Sequence, residues 1–228
     1  MRKVELIKKT QREFDSILEN PGIESLKIWN CKIHDYSKLS SLQHLLELEI
    51  FIFDKGKLSD LSELKQLKKL RLIHIPQIQD LSELSHLANL EELSLESLPS
   101  WDSSGKTLVF NNLEPISALS KLKMLTLMKA KVHEMGLQPL EQLHGLEEFV
   151  TDNTFSIQDF ARLSAYLPHT SCKYFHPFHK VNSKCNTCDS QKVRLSGVSR
   201  GGLICPQCSS KKLNEHIEAF NHIKASVR

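Results

Sequence analysis

Four of the six cysteines stand in two pairs near the end of the 228-residue chain. Cys185 and Cys188 form one Cys-x-x-Cys turn, Cys205 and Cys208 form the other, and residues 189–204 separate them. Each turn directs two thiolates at one ion, and four sulfurs at about 2.3 Å complete a closed tetrahedron around zinc. The spacing therefore predicts one structural Zn²⁺ per chain, without an open coordination position for a catalytic water.

Two alternatives stay open for these thiols: a redox-active dithiol pair, or an iron ion bound by four cysteines. His176 and His179 precede the cluster, but four cysteines already saturate zinc, so we expect both histidines in a linker or at the surface. Residues 192–195 and 203–204 indicate a hairpin that brings the two turns together. With its four cysteines, the segment of about residues 183–210 resembles a zinc ribbon.

The charge of the chain is divided between its two ends. The net charge is +3, but residues 1–172 carry −4 and residues 173–228 carry +7. Four thiolates and one Zn²⁺ lower the latter to about +5. Lys and Arg neutralise phosphate, so a nucleic-acid partner is possible, although no row of aromatic residues for base stacking accompanies them.

The composition and the chain start limit the class of protein. Hydrophobic residues make up 40% and charged residues 25%, which excludes a disordered chain. No window is apolar enough to cross a membrane, and the charged start lacks the apolar core of a signal peptide. We therefore expect a cytoplasmic protein with no membrane partner, where a reducing environment favours a metal site over disulfides.

A six-residue pattern, Leu-x-x-Leu-x-Leu, recurs along most of the chain. Clear copies begin at Leu67, Leu90 and Leu122, and weaker ones at Ile23, Leu45 and Leu146. The last two apolar positions alternate with period two, which predicts a short strand with one buried face. Leucines at every third residue before them predict tight helical or 3₁₀ turns. One copy cannot bury its own apolar face, so the copies must stack.

This pattern resembles the leucine-rich repeat family in its class of about 22 residues. The resemblance implies an α/β solenoid with a curved parallel sheet on the concave side and short helical or 3₁₀ segments on the convex side. The family usually has Asn or Cys five residues after the second leucine, and here only Cys31 conforms. We expect Cys31 and Cys172 to be buried structural residues.

Three parts are predicted. Residues 1–22 form an N-terminal helical cap with a helix over residues 3–19, residues 23–178 form the solenoid, and residues 179–228 form the zinc ribbon and a helix from Ser209 or Ser210 to about Val227. The apolar face of that last helix is expected to pack on the ribbon or the last repeat; a partner-binding helix is the alternative. An insertion at about residues 97–112 interrupts the array, and it is either functional or neutral.

The strand positions between the buried leucines indicate a binding surface on the concave face. Trp29, Phe51 and Ile73 are predicted to form an exposed apolar stripe there, with Arg71 and Glu49 beside it. The alternatives are a cover formed by the insertion or first helix, or a register shifted by one residue, which would place these side chains in the core.

No catalytic motif such as Gly-x-Ser-x-Gly or His-Glu-x-x-His occurs, so we expect no enzyme and no small-molecule substrate. The sequence favours a non-enzymatic protein–protein interaction module that binds a partner protein through the concave face. A small inhibitor or immunity-type protein is a narrower form of this expectation. The alternative is a nucleic-acid-associated protein that uses the basic ribbon.

Overall fold

The chain forms a repeat solenoid followed by a small antiparallel sheet and a long helix. The computed structural model describes residues 2–20, 22–97 and 107–227. In chain order, its strands are β1 (Lys3–Ile7), β2 (Ser25–Trp29), β3 (Glu47–Phe51), β4 (Lys69–Ile73), β5 (Glu92–Glu96), β6 (Leu108–Phe110), β7 (Met124–Met128), β8 (Ala130–Val132), β9 (Glu148–Thr151), β10 (Phe178–Lys184), β11 (Gln191–Leu195) and β12 (Leu203–Ile204). The helices are α1 (Gln11–Leu18), α2 (Glu114–Ser117), α3 (Ile157–Tyr166) and α4 (Ser210–Ser226).

Seven strands build the solenoid sheet, and all of them are parallel. Their order is β1, β2, β3, β4, β5, β7, β9, so that each strand pairs with the one from the preceding repeat. Equivalent repeat positions pair directly: Leu26 with Leu48, and Leu48 with Leu70. These leucines are almost completely buried. The fold predicted from the six-residue pattern is thus the observed one.

The convex side consists mainly of short turns. In the part of the chain that the structure describes, 3₁₀ segments lie at Ser37–Ser41, Leu58–Asp60, Ser82–His86 and Gln138–Gln142. The leucines spaced by three residues point from these turns into the core, where they contact the leucines of the strands. The prediction of 3₁₀ turns from this spacing is confirmed.

The start of the chain differs from the prediction of a single helix over residues 3–19. Lys3–Ile7 is instead the first strand of the sheet, and only Gln11–Leu18 is helical. Val4 pairs with Leu26, so the segment predicted as a helical cap begins with another strand of the 22-residue array. Val4 and Ile7 are three residues apart, a spacing that also fits a helix, and this masked the alternation of Val4, Glu5 and Leu6.

Helix α1 starts at a well-formed cap. The Thr10 hydroxyl accepts a hydrogen bond from the Glu13 backbone N–H, and the Glu13 carboxylate accepts one from the Thr10 N–H. This reciprocal pair satisfies two backbone donors that a helix start leaves unpaired. Phe14 and Leu18 then bury the inner face of the helix against the core.

The array is interrupted between β5 and β7. Within the predicted insertion, residues 98–106 lie outside the described residues. Leu108–Phe110 pairs in parallel with Ala130–Val132 and forms a second sheet of two strands. Leu108 and Phe110 are buried in the solenoid core, so this part of the insertion contributes to the core.

The C-terminal part contains the predicted hairpin and one strand more. β11 pairs antiparallel with β12, as predicted, and β10 pairs with the other edge of β11. His179 lies in β10 opposite Arg194, so it belongs to a strand and not to a linker. Three short strands thus hold the two Cys-x-x-Cys turns at one end of the small sheet.

Helix α4 joins the two hydrophobic cores. Leu213 packs in the small core of the ribbon with Val193 and Leu195, whereas Phe220 is buried in the core of the solenoid. The apolar face predicted for this helix therefore packs on both the ribbon and the last repeat. In the described part of the chain, no helix is both long and apolar enough to span a bilayer.

Candidate functional site

The concave face carries three rows of side chains that run across the strands. The register places Ser25, Glu47, Lys69, Glu92, Met124 and Glu148 in one row, Lys27, Glu49, Arg71, Ser94, Thr126 and Val150 in the next, and Trp29, Phe51, Ile73, Glu96 and Met128 in the third. The residues of the first two rows on β2, β3, β4, β5 and β7, with the start of β1, line a groove of about 400 Å³.

The third row is not the exposed stripe that we expected. Trp29 is half-buried, but Phe51 is only 7% exposed and Ile73 only 1%. The Trp29 ring stacks on Phe51 with ring centroids 5.0 Å apart, so these bulky side chains on adjacent strands cover each other. Phe51 and Ile73 therefore offer little free surface, and the expectation of exposure is wrong for both.

Arg71 and Glu49 instead belong to an ion-pair network across β2, β3, β4 and β5. The Arg71 guanidinium lies 2.9 Å from Glu96 and 3.7 Å from Glu49. Glu49 also accepts a hydrogen bond of 2.7 Å from the Trp29 indole N–H. Lys27 lies 3.6 Å from Glu49, with its ammonium group 4.3 Å from the Trp29 ring centroid. On β2 to β5, the positive charges of Lys27 and Arg71 are therefore balanced by the negative charges of Glu49 and Glu96.

Glu96 is the most buried acid of this network. Burial acts to raise its pKa, but hydrogen bonds from Arg71 and from the Ser94 hydroxyl outweigh that effect, so the pKa lies below its usual value. The same pairing raises the pKa of Arg71. Glu96 thus stays ionised and holds the guanidinium in place over the sheet.

An apolar patch follows on β7 and β9, which sequence analysis did not single out. Met124 is 38% exposed and Val150 is 37% exposed. Thr126 pairs with Val150, and Met128 follows on the same face of β7, so the four side chains adjoin. The signal was present in the sequence, because Thr126 and Val150 occupy the positions of Glu49 and Arg71 in earlier repeats, and Met124 and Met128 occupy the outward positions on either side of Thr126.

The second candidate site is the cysteine cluster, where the four sulfur atoms lie within 4.8 Å of one another. The separations are 3.4 Å from Cys188 to Cys205, 3.5 Å from Cys188 to Cys208 and 3.8 Å from Cys185 to Cys208. Sulfurs bound to one zinc at about 2.3 Å lie roughly 3.8 Å apart at the corners of a tetrahedron. All four are free thiols, so the donor set fits a tetrahedral metal ion.

The thiols differ in how readily they ionise. Hydrogen bonds from the backbone N–H groups of Thr187 and Cys188 lower the pKa of Cys185 to about 6. The pKa of Cys208 rises to about 12, because its thiol is hydrogen bonded to Cys188 and lies close to the other sulfurs. Hydrogen bonds involving Ser190 and Cys205 also lower the pKa of Cys188. A bound cation would favour ionisation of all four thiols.

The two other cysteines lie apart from this cluster. Cys31 is half-buried and its sulfur accepts a hydrogen bond of 3.3 Å from the Lys9 backbone N–H, which links the first two repeats. Cys172 is buried, and desolvation raises its pKa to about 11. The predicted burial is therefore confirmed for Cys172, whereas Cys31 is only partly buried at the edge of the core.

Comparison with known structures agrees with this architecture. Internalin C2 from Listeria monocytogenes strain 4b F2365 is 23% identical, with a TM-score of 0.56 over 74% of this chain and 68% of that one. An internalin named inlF from the same strain is also 23% identical, with a TM-score of 0.53 over 72% of this chain. The aligned part amounts to 45% of that longer protein.

No protein-family model and no curated protein sequence matches the chain. The seven parallel strands, the 3₁₀ turns and the two internalin structures define a leucine-rich repeat fold. A cluster of four cysteines, compatible with a zinc ribbon, follows the repeats.

Proposed function

We propose that the protein is a non-enzymatic interaction module that binds a partner protein through the concave face of its repeats. The observation that carries this proposal is the groove of about 400 Å³ along that face. Repeats that stack in one direction create an extended concave surface of this kind, which is suited to binding another chain. A small inhibitor or immunity-type protein is a narrower form of the same function.

The charged half of the groove supports binding of a folded or extended protein segment. Arg71 and Lys27 have side chains that are 43% and 35% exposed, respectively, so each keeps donor groups available. Trp29 and Arg71 are also of the residue types that most often dominate binding energy at interfaces. We keep Trp29, Arg71 and Glu49 as proposed contacts. Phe51 and Ile73 are buried beside these contacts and are no longer proposed to touch the partner.

The proposal is tested by capture from a native extract with quantitative mass spectrometry. Wild-type protein, the variant Arg71→Glu and the variant Gln66→Arg are compared; Gln66 is exposed and precedes β4 outside the concave face. A protein retained by wild type and Gln66→Arg, but depleted at least fivefold by Arg71→Glu, supports concave-face binding. Equal retention by all three variants would contradict it. Circular dichroism verifies that each variant is folded.

We further propose that the cluster of Cys185, Cys188, Cys205 and Cys208 holds one structural Zn²⁺ per chain, and that the protein resides in the cytoplasm. Four protein thiolates around one ion leave no position for a substrate or water, which supports a structural role. Free thiols at all six cysteines are consistent with a reducing compartment.

A second candidate function is binding of nucleic acid by the ribbon. In the described part of the chain, Lys180, Lys192 and Arg194 lie beyond ion-pair distance of any carboxylate, in contrast to Lys27, Lys69 and Arg71 of the solenoid. Unpaired cations on one small sheet suit a phosphate backbone. The test is retention on heparin and DNA at low salt, with a steep loss of binding as salt rises.

A further inference from the structure

The apolar patch on β7 and β9 has an acidic border. Glu148 precedes Val150 by two residues on β9, and Asp152 follows it by two, so the three occupy alternate positions. Glu148 also pairs in register with Met124. The concave surface thus changes from a mixed-charge network on the early strands to methionine, valine and carboxylates on the late ones.

Glu148 and Asp152 differ from Glu92 and Glu96 of the neighbouring strand β5, which are paired with cations. Glu92 lies 2.7 Å from Lys69, and Glu96 lies 2.9 Å from Arg71. Among the described residues, no Lys, Arg or His lies within ion-pair distance of Glu148 or Asp152. The Asp152 carboxylate accepts a hydrogen bond of 2.9 Å from the Thr154 hydroxyl. Both acids are half-buried, so their negative charge is only partly screened by water.

One cation lies beyond the patch. Lys173 is exposed in the last, incomplete repeat, with its ammonium group 6.0 Å from the centroid of the Tyr174 ring. This contact draws the Lys173 side chain toward the aromatic ring, and it leaves the two carboxylates unneutralised.

On the basis of the proposed function, we infer that this patch binds an extended partner segment in which an apolar side chain is flanked by Lys or Arg. The apolar side chain would lie against Met124, Met128 and Val150, where flexible methionines adapt to its shape. The flanking cations would pair with Glu148 and Asp152. Such pairs are stronger than at an open surface, because the acids are already partly withdrawn from water.

An acidic or purely apolar segment fits the patch less well. A second carboxylate beside Glu148 would be repelled, and an apolar segment without cations would bury the two acids without a partner. Charge complementarity therefore selects the partner chemistry, and the apolar contact supplies the anchor.

The test is a selection from a random peptide display library, with the full-length zinc-loaded protein as bait. The dissociation constants of the enriched peptides are then measured by fluorescence polarisation. Enriched peptides should share an apolar residue within two positions of Lys or Arg. Reversing the charge in Glu148→Lys should weaken their binding at least about tenfold. Val150→Ser should weaken it several-fold.

The matched control is Glu63→Lys, which makes the same charge change at an exposed position on the convex side and should change affinity less than twofold. Enriched peptides that lack Lys and Arg, or that bind Glu148→Lys as well as wild type, would overturn the inference. So would a library that gives no enrichment. If binding of enriched peptides is lost in Arg71→Glu but kept in Glu148→Lys, the inference fails while the proposed concave-face function stands.

Discussion

At the scale of single residues, the concave ion-pair network depends most on Glu96. Its side chain is only 13% exposed and accepts hydrogen bonds from both Arg71 and Ser94. Its pKa is lowered in the folded protein, so its contribution to stability is fully present above the unfolded value near 4.5 and is lost as pH falls through the folded value.

The variant Glu96→Gln tests this contribution. We expect it to lower the free energy of unfolding by about 1 to 2 kcal/mol at pH 7, because a hydrogen bond to a charged group is lost. The difference from wild type should shrink below about pH 4.5. Urea unfolding at pH 7 and pH 3.5 measures it. Glu63→Gln, whose acid is well exposed, should match wild type at both pH values. A pH-independent difference would show that Glu96 acts through packing.

A second prediction concerns the backbone at Ile52. The residue just after a strand has a positive φ in several repeats: 54° at Lys8, 51° at Asn30 and 70° at Ile52. This conformation is costly for a β-branched side chain and is tolerated by Asn. Ile52→Asn should therefore stabilise the protein by about 0.5 to 1 kcal/mol, measured as a higher midpoint of urea unfolding.

The control for Ile52→Asn is Leu46→Asn. Leu46 is also half-buried but has a negative φ, so the same substitution should only remove apolar burial and destabilise the protein. A loss of stability in both variants would mean that the contacts of Ile52 outweigh its backbone strain.

At the scale of elements, the ribbon should depend on its metal. Its own apolar core is small and consists mainly of Val193, Leu195, Ile204 and Leu213, which is too little to fold three short strands alone. Cys205→Ser should abolish binding of one zinc per chain, measured by inductively coupled plasma mass spectrometry, and should expose β11 to rapid amide hydrogen exchange. Cys31→Ala, which lies outside the cluster, should keep one zinc. Full zinc retention in Cys205→Ser would refute the assignment.

The sequence predicted those elements whose signal is local. Leu70 and Leu72 mark β4 because two buried leucines alternate in a strand, and the pairs of cysteines mark the ribbon because ligand spacing is fixed by geometry. The strand β1 was missed because Val4 and Ile7 are three residues apart, a spacing that also fits a helix. The burial of Phe51 and Ile73 was missed because it depends on neighbours across the sheet, which a single strand pattern does not contain.

The apolar patch on β7 and β9 and its acidic border could have been predicted from the outward-facing strand positions. Val150 and Met128 occupy outward positions in the predicted register, and Glu148 occupies an outward position beside them. What the sequence could not supply is the pairing of each acid. That pairing depends on side-chain reach across strands. It separates Glu96, which pairs with Arg71, from Glu148, which has no cation within ion-pair distance among the described residues.

At the scale of the whole molecule, the ribbon and the solenoid share one boundary. The Asn153 amide donates to the carbonyl groups of Leu195 and Val198, and its oxygen accepts from the Gly197 N–H at 2.7 Å. Gly197 has a φ of +75°, and a Cβ atom there would lie 2.2 Å from the Ile157 nitrogen. Only glycine fits this close approach, so the ribbon loop packs directly on the start of α3.

This boundary should couple the stability of the solenoid to the ribbon, and therefore to the zinc ion proposed for its cysteine cluster. Stacked repeats contact only their neighbours. If the ribbon and α4 no longer pack on the last repeat, that repeat is destabilised, and the loss of stability spreads along the array. Phe220 would also leave the solenoid core if α4 detached. In a Trp101→Phe background, the fluorescence of Trp29 reports on the opposite end of the sheet. Removing zinc with a chelator should lower its unfolding midpoint by about 4 to 8 °C, equivalent to roughly 2 kcal/mol.

The variant Asn153→Ala distinguishes coupling between the ribbon and the solenoid from a general effect of the chelator on the protein. It removes the three hydrogen bonds across the boundary, so it should lower the midpoint of the zinc-loaded protein and reduce the further loss that chelation causes. Ser62→Ala, which removes a hydroxyl bonded only to the nearby Ser59 carbonyl, should leave the chelator effect unchanged. If chelation does not shift the Trp29 transition in any variant, the solenoid folds independently of the ribbon, and the zinc stabilises only the small sheet that binds it.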